Sequence, residues 1–464
     1  MFRNIYNTFL NCFKIPELAS RIWFTLGVLL VVRLIAFIGI PGLNHTALAT
    51  FFDQNSQNGG GLMVMYNMFA GGAYENCAIG ALGIMPYISA TIILQLMTAV
   101  IPRLSKLARE EGGRAQIIKY GRYLTVLLCI GQGIYFANGW ENPQKQFGAN
   151  FPGQLVLIDN HVWYLIQTVL VMTTGTMLLV WLGEQITERG IGNGISLVIT
   201  IGIVARLPMA GRGLMDMFHP AGGGEATHHI LGDGILLVIL LLVVVGGVIA
   251  VTQAQRKIPV QYAQRAVGRK MYAGGTSFMP LKVNYSGVMP IIFAQSILMF
   301  PGPLCAWVAT HAKAPFLRDT FQSLATQLAY GSVLYLAIYS LMILFFSYFW
   351  VATQFNEIQI ADDLKKNGGY IPGVRPGQGT SEYLHKAMSR ITLAGALFLT
   401  IIATIPIILG KKLNIDQSVA QFFGGTSMLI AVGVLLDTMR QVESHLMMRH
   451  YDGFLKKGRL RGRL

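Results

Sequence analysis

The chain has 464 residues, of which 53% are hydrophobic and only 12% are charged. Soluble domains carry about 25% charged residues, so this composition excludes a water-soluble globular protein, and the apolar content excludes a disordered one. The 36 Lys and Arg outnumber the 21 Asp and Glu and give a net charge of +15, an excess that in so apolar a chain is typical of loops at one face of a membrane.

Long apolar stretches dominate the sequence. Stretches of about 20 apolar residues with few charges indicate transmembrane helices, because only a helix satisfies its own backbone polar groups in lipid. The first stretch is interrupted by Arg33 and lacks a small-residue cleavage site, so we expect it to remain as a span rather than to be removed as a signal peptide. We predict an all-α integral membrane protein with ten transmembrane helices, over approximately 22–40, 78–98, 121–138, 161–182, 192–208, 232–252, 287–308, 329–351, 391–410 and 420–438.

The basic residues between the spans predict the orientation, since short cytoplasmic loops collect Lys and Arg. With an even number of spans, both termini lie on one side. If that side is the cytoplasm, 28 Lys and Arg lie inside and 7 outside, with Arg33 left within a span. The predicted order is a cytoplasmic N-terminus (1–21), an N-terminal half (22–208), an external loop (209–231), a C-terminal half (232–438) and a basic cytoplasmic tail (439–464).

Between the first two spans lies a glycine-bracketed apolar segment, GGGLMVMYNMFAGG, at residues 59–72. Its helical part, about ten residues, is too short to cross a bilayer. It is also too apolar for an ordinary solvated loop on the outer face. Such a segment either re-enters the membrane where protein covers it or lies flat on the membrane surface. We favour the re-entrant interpretation.

The second span contains Pro86, which is predicted to bend the helix by removing a backbone hydrogen bond. Ile84 and Ile88 flank that position at i and i+4 and therefore share a face. Ile195 and Ile199 repeat the spacing after the GIGNG turn of the fifth span. Spacing alone leaves these isoleucines equally compatible with lipid-facing or packing positions.

The sequence contains no motif for a catalytic or metal site. GxxxxGK[ST], GxSxG and HExxH are absent, and the four cysteines have neither CxxC nor Cys/His spacing, so we predict no catalytic residue, no metal and no cofactor. The spans hold no Asp or Glu near their middles, where an ion-coupled carrier normally needs them. We interpret Arg33 as a packed, paired structural residue rather than a transport residue.

Two predicted cytoplasmic loops, 253–286 and 352–390, are longer than a hairpin needs. The first has six basic residues and no acidic one, and the second contains the turn-rich string GGYIPGVRPGQG. A basic loop without acids binds anionic lipid head groups, RNA or an acidic protein face. Positive-inside anchoring alone would also produce such loops. Their length favours partner binding.

Several long strings resemble one protein family. They are YNMFAGGA (66–73), ALGIMPYISATIILQL (81–96), TGTMLLVWLGEQITERGIGNGIS (174–196), QRKIPVQYAQR (255–265), PLKVNYSGVMP (280–290), LKKNGGYIPGVRPGQGT (364–380) and FGGTSMLI (423–430). The chain resembles the SecY family of protein-translocase channel subunits over essentially its full length. The outer loops 139–160, 210–230 and 309–328 match nothing in the family pattern.

The resemblance implies two five-helix halves, spans 1–5 and 6–10, related by inverted pseudo-symmetry around a central pore. A ring of apolar side chains narrows the pore in this family, and an aliphatic ring both fits loosely around a passing polypeptide and blocks ions by dewetting. The matching strings place six isoleucines in that ring: Ile84, Ile88, Ile195, Ile199, Ile292 and Ile430.

The resemblance also makes residues 61–72 a plug, a short helix that seats against the outer side of the ring and moves aside on opening. Its residues are Gly61, Leu62, Met63, Val64, Met65, Tyr66, Asn67, Met68, Phe69, Ala70, Gly71 and Gly72. A lateral gate to lipid is implied between spans 2 and 3 and spans 7 and 8. Gln95, Gln132 and Asn284 lie in or beside these spans, where they would form hydrogen bonds across the gate or bind backbone or water instead.

The two long loops resemble the family's docking site for the ribosome and the motor ATPase. Arg375, in IPGVRPG, is the main predicted contact. Arg256, Lys257, Arg269 and Lys270 are the accompanying basic positions. A guanidinium binds both rRNA phosphates and protein carboxylates, so one surface serves alternate partners.

The function implied by the resemblance is a passive, gated channel that passes unfolded secretory polypeptides across a bacterial plasma membrane and releases transmembrane segments laterally into lipid. The implied partners are the SecE and SecG subunits, the SecA motor ATPase, the ribosome, signal sequences with nascent secretory or membrane proteins, and membrane lipids. Two alternatives remain open: a secondary transporter of small molecules, and a membrane scaffold that binds ribosomes without conducting anything.

Overall fold

The computed structural model describes residues 15–55, 66–110, 112–144, 151, 154–218, 231–262, 265–267, 270–272, 275–312, 314–412, 419 and 425–457. The chain forms two compact units. Unit 1 comprises Met1–Gly222, Asp416–Ser418 and Val434–Leu464, and unit 2 comprises Gly223–Ile415 and Val419–Gly433.

Unit 1 is helical. Its helices are α1 (Pro16–Ile35), α2 (His45–Asn55), α3 (Met85–Val100), α4 (Pro102–Arg109), α5 (Gly113–Glu141), α6 (His161–Arg189), α7 (Gly194–Val204) and α8 (Leu207–Phe218). Side-chain caps begin two of them: the amide oxygen of Asn160 accepts hydrogen bonds at the start of α6, and that of Asn193 does so at the start of α7. Helix α6 packs against α1, α5 and α7, and α5 also packs against α3.

Small residues allow close backbone approach around α6. A Cβ built on Gly175 would lie 2.2 Å from the carbonyl oxygen of Ile79. Glycine is therefore required there, and small residues at helix interfaces are the usual device of packed membrane helices. At the C-terminal end of α6, Glu184 accepts two hydrogen bonds from the Arg122 guanidinium of α5, at 3.2 and 2.7 Å. This bidentate pair fixes α5 on α6.

Unit 2 combines helices with a small sheet. The helices are α9 (Leu231–Gln253), α10 (Met289–Leu298), α11 (Pro301–His311), α12 (Pro315–Gln327), α13 (Val333–Gln354), α14 (Glu357–Lys366), α15 (Gln378–Lys412) and the first part of α16 (Thr426–Lys457), which belongs to unit 1 from Val434 onward. Pro301 lies in the first turn of α11, where its missing N–H has no helical acceptor to lose.

The strands of unit 2 are β1 (Gln255–Tyr262), β2 (Arg265–Val267), β3 (Lys270–Tyr272), β4 (Thr276–Lys282) and β5 (Gly369–Tyr370). Strand β1 is central in an antiparallel sheet of order β4-β1-β5, and β2 pairs with β3. An apolar core joins this sheet to α15 through buried residues that include Ile258, Val260, Leu281, Ile371, Leu384 and Met388. The two loops predicted to be cytoplasmic thus form a single packed structure.

Each of the ten predicted spans overlaps one helix or a pair of helices in the described part of the chain. Among the described residues, seven helices are long and apolar enough to cross a membrane, and an eighth is added if α3 and α4, bent by 105°, form one span. Helices α5 and α16, at the third and tenth predicted spans, are long enough but more polar, with Gln132 and Asn138 in α5 and Asp437 and Arg440 in α16.

The predicted bend at Pro86 is wrong. Helix α3 begins at Met85, so Pro86 lies in its first turn, and residues 70–84 form a series of turns instead of a helix. A proline in the first turn leaves the hydrogen-bond ladder intact because that N–H has no helical acceptor. Ile84 and Ile88 still share a turn, since the Ile88 N–H donates to the Ile84 carbonyl at 3.2 Å.

Candidate functional site

The described part of the predicted plug is buried in unit 1. Residues 66–69 form one helical turn and 70–75 continue as turns, with Asn67 fully buried. Gly71 and Gly72 have φ values of +65° and +86°, a left-handed conformation that glycine adopts without strain. This burial favours a segment covered by protein over a helix lying on the membrane surface. Gly61, Leu62, Met63, Val64 and Met65 lie outside the described residues.

Aromatic rings close the base of this segment. Tyr66 and Tyr74 are in edge contact with centroids 5.5 Å apart, and both rings also contact Phe136 of α5, at 4.9 and 5.1 Å. The Tyr66 hydroxyl donates to the carbonyl of Leu82 at 3.0 Å. Residues 66–75 therefore form a closed loop, which we call the plug loop, whose two ends are held together by edge and tilted ring contacts.

Charged and amide groups bind the plug loop at two points. At its tip, Arg33 of α1 donates from Nη1 to the carbonyl of Gly71 at 2.6 Å. At its base, the Asn67 amide donates to Oε2 of Glu75 at 2.6 Å, and the Glu75 N–H donates back to Asn67 Oδ1 at 3.1 Å. The same Glu75 oxygen accepts a hydrogen bond from Arg206, which follows α7. Arg33 is half-buried and its partner is a backbone carbonyl; its interpretation as a structural and not a transport residue stays a prediction.

A cavity of about 20 Å³ adjoins the plug loop, and its lining includes Arg33, Phe69, Gly71, Ile84 and Gly202. Its volume suits about one water molecule. A Cβ built on Gly71 would lie 2.9 Å from Cα of Gly202, so the loop tip rests directly on the α7 backbone. Within unit 1, Ile84 and the plug loop therefore line the same small space.

The six predicted ring isoleucines belong to both units. Ile84, Ile88 and Ile199 are buried in unit 1, where Ile195 is half-buried and contacts Gly183 of α6. Ile292 in α10 and Ile430 in α16 are buried in unit 2. Their convergence into one ring stays a prediction.

The three predicted gate residues have different surroundings. Gln95 is exposed on α3. Gln132 is half-buried on α5, and its Oε1 has no hydrogen-bond partner among the described residues. Asn284 is buried and bonds within its own loop, donating to the Gly287 carbonyl at 2.9 Å and accepting from the Ser286 hydroxyl at 3.1 Å. The predicted hydrogen bonds across the gate stay untested.

Arg375 is exposed on a rigid turn that follows β5. Gly373 and Gly377 on either side have φ values of +80° and +92°, a conformation that favours glycine. Ile371 and Val374 pack into the unit 2 core, and the Arg375 carbonyl accepts a hydrogen bond from the Thr380 hydroxyl at 3.0 Å. The backbone is thereby fixed while the guanidinium faces solvent.

Two of the accompanying basic residues, Arg256 and Lys257, lie on the sheet that pairs with β5, whereas Lys270 lies on the separate β2–β3 pair. Arg256 and Lys257 are exposed on β1, opposite Leu281 and Pro280 of β4. Lys270 begins β3, and Arg269 lies outside the described residues. Because β5 pairs with β1, Arg375 belongs to the same folded structure as Arg256 and Lys257.

Sequence reasoning missed the pairing of Glu75 with Arg206. The two residues are 131 positions apart, and neither lies in a predicted ring, gate or docking motif. Arg206 is one of the seven basic residues predicted on the outer side. The available signal was a lone acid directly after the plug segment, and it does not identify a partner.

Comparison with known proteins identifies the family. A model of the SecY family matches residues 78–439. A protein translocase subunit SecY from Vibrio cholerae serotype O1 is 44% identical over 452 residues, covering 97% of this chain and 96% of the relative. The chain belongs to the SecY family.

Solved structures share the SecY family fold. One concerns the plug domain of a SecY protein and has a TM-score of 0.56 at 17% identity, covering 91% of both chains. Another, Sec61 in a canine ribosome-channel complex from the endoplasmic reticulum, has a TM-score of 0.55 at 17% identity over 91% of both chains. The predicted helical, multi-pass membrane fold is confirmed apart from the small sheets of unit 2, and the ten predicted spans agree with the SecY family fold.

Proposed function

We propose that this chain is the protein-conducting channel subunit of a Sec translocase. The proposal rests above all on one observation: a relative named as a protein translocase subunit is 44% identical across nearly the whole length of both chains. The chain would pass unfolded secretory polypeptides across the membrane and release transmembrane segments laterally into lipid. The transporter alternative has no support in these comparisons.

The physical basis proposed for conduction is a ring of the six isoleucines. Ile84, Ile88, Ile195 and Ile199 would contribute from unit 1, and Ile292 and Ile430 from unit 2. Aliphatic side chains make no hydrogen bonds that a passing chain would have to break, so they accept any sequence. When no polypeptide is present, a narrow apolar ring resists water and therefore ions.

The plug loop is proposed to close this channel at rest. Its burial beside Ile84 and its glycine contact with α7 support a seat next to the ring. In the solved SecY protein with a TM-score of 0.56, the plug domain stabilises the closed state of the channel and maintains a membrane seal. We assign the same role to the predicted plug, residues 61–72, whose described part belongs to the plug loop. Gln95, Gln132 and Asn284 are proposed to lie at the lateral gate.

The basic surface around Arg375 is proposed to bind the ribosome or the motor ATPase that drives translocation. A member of the same fold class has been solved in a ribosome-channel complex, which supports the ribosome as a partner. SecA, SecE and SecG are the further proposed partners. On this proposal the chain has no catalytic activity of its own, lies in a bacterial inner membrane and keeps both termini in the cytoplasm.

Reconstitution tests this function against both alternatives. Vesicles containing the chain with its SecE and SecG partners should import an unfolded secretory protein when SecA and ATP are added. Removal of ATP is the matched control and should abolish import. Vesicles that accumulate small solutes but exclude the secretory protein would favour the transporter alternative, and vesicles that bind ribosomes but import nothing would favour the scaffold.

A further inference from the structure

We propose that Arg33, Asn67, Glu75 and Arg206 form a charged latch that holds the plug loop in its seat and sets how readily the channel opens. This inference rests on the proposed channel function and adds a regulatory element to it. Three observations carry it: the loop is closed at its base, small residues make the contact beneath its tip, and two arginines, Arg33 of α1 and Arg206 after α7, bind it.

The closed base makes the plug loop a single body. The rings of Tyr66 and Tyr74 are in edge contact with each other, and both contact Phe136. Directly beside them, Asn67 and Glu75 exchange two hydrogen bonds across the loop, at 2.6 and 3.1 Å. The loop is therefore expected to move as one rigid unit. Its contacts with the surrounding helices determine whether it leaves its buried position.

The apolar seat under the tip is smooth. Gly71 rests on Gly202, and a Cβ built on Gly83 would lie 3.2 Å from Cα and 3.5 Å from Cβ of Ala70. Met68 and Phe69 of the same loop are buried, whereas at the tip these glycine and alanine surfaces make close contact without interlocking side chains. Such a contact resists sliding less than interlocking side chains do, since little packing must be disrupted when the surfaces part.

The two arginines fix the plug loop by directional hydrogen bonds, one at its tip and one at its base. Arg33 reaches the tip from α1 and binds the Gly71 carbonyl at 2.6 Å. Arg206 reaches the base from the end of α7 and binds Glu75, with only 13% of the Arg206 side chain and 21% of the Glu75 side chain exposed. Hydrogen bonds to charged groups at such sites are stronger than those between neutral groups.

The base contact depends on a single carboxylate. Glu75 Oε2 accepts from both Asn67 and Arg206, and the Nε of Arg206 has no hydrogen-bond partner among the described residues. Loss of the Glu75 charge therefore leaves the mostly buried Arg206 guanidinium without its counter-ion. It also weakens the hydrogen bond between Asn67 and Glu75 at the base of the loop. The latch should respond sharply to changes at Glu75.

A charge-exchange cycle tests the latch. The chain with its partner subunits is reconstituted without a client protein, and ion conductance is measured for Glu75→Gln, Arg206→Gln, Glu75→Arg, Arg206→Glu and the exchanged pair Glu75→Arg with Arg206→Glu. Each single variant should raise resting conductance about tenfold, equivalent to about 1.4 kcal/mol. The exchanged pair should return to within about threefold of the unmodified chain. Glu184→Gln, which breaks the Arg122–Glu184 pair in the same unit, should leave conductance unchanged.

A covalent lock separates opening from misfolding. A Cβ built on Gly83 lies 3.5 Å from Cβ of Ala70, within reach of a disulfide. Because Gly83 has φ of +58°, the reduced double-cysteine variant with Glu75 intact is the control for strain and should conduct like the unmodified chain. In the Glu75→Gln background, oxidised Ala70→Cys with Gly83→Cys should return conductance to the resting level, and reductant should restore the leak. The latch is overturned if single variants conduct like the unmodified chain, if the exchanged pair leaks as much as its parents, or if oxidation leaves the leak unchanged.

The channel function and the latch fail in different measurements. ATP-driven import by the unmodified chain reports on the proposed function alone. Conductance across the charge-exchange cycle reports on the latch. If import is normal but none of the charge-exchange variants changes resting conductance, the latch proposal is wrong and the channel function stands.

Discussion

Arg375→Glu is expected to reduce protein export by about 30-fold or more while the protein stays folded and inserted. Reversing a charge at the centre of a polar interface weakens the binding free energy by about 2 kcal/mol or more, because an attraction between the partners becomes a repulsion. The fold is expected to survive because the Arg375 side chain is exposed, and its turn is fixed by buried Ile371, by two glycines and by the Thr380 hydroxyl. Export of a secretory protein and membrane-inserted protein level are the measurements.

Lys386→Glu provides the matched control for this prediction. Lys386 is also a basic, exposed residue of unit 2, but it lies within α15 and away from the glycine turn in sequence. Its reversal should leave export within about twofold of the unmodified chain, as expected for a solvated surface charge. Full ATPase-driven export by the Arg375→Glu variant would remove Arg375 from the docking surface.

Deletion of residues 61–72 is expected to raise resting ion conductance by about tenfold or more, equivalent to about 1.4 kcal/mol of lost closed-state stability. The described part of this segment fills a buried position next to Ile84 and Gly202, so its removal opens space beside the proposed ring. Conductance of reconstituted complexes without a client protein is the measurement.

A substitution on the other unit controls for nonspecific damage. Phe316 on α12 is 79% exposed and contributes nothing to a buried core, so Phe316→Ser should leave the bilayer sealed. A deletion variant that conducts no more than the unmodified chain, at equal amounts of assembled protein, would show that residues 61–72 are not a plug.

Hydrophobicity predicts the spans well because lipid imposes one dominant constraint on backbone polar groups. It predicts their ends less well. Pro86 has the same apolar neighbours whether it bends a helix or begins one, and the choice depends on the turns of residues 70–84, which pack against α6 through Gly175. That packing is a tertiary contact, which an apolar stretch alone does not reveal.

The sheet in the basic loops was not predicted. Strand β1 alternates buried Ile258 and Val260 with exposed residues, a pattern that favours a strand, but Pro259 between them argues against a central one. The structure resolves the conflict, since β5 pairs with β1 only at Gln261 and Tyr262. Pro259 thus faces no partner on that side, as in an edge strand.

The candidate site was predicted in part. The segment 61–72, Arg375 and the ring isoleucines came from strings shared with a family, and their burial or exposure in the structure is compatible with those roles. The pairing of Glu75 with Arg206 depends on the chain returning 131 residues later. One sequence without a covarying relative carries no information on such a contact.

The central claim is that isoleucines from both units surround a polypeptide in transit, and site-specific crosslinking tests it most directly. A photoreactive residue is placed at Ile84, at Ile292 and, as controls, at Leu30 and Leu341, which are 61% and 67% exposed on α1 and α13. With a secretory chain stalled during export, Ile84 and Ile292 should both crosslink to it, and Leu30 and Leu341 should not. A stalled chain that reacts with neither isoleucine, or equally with all four positions, would contradict a shared apolar ring.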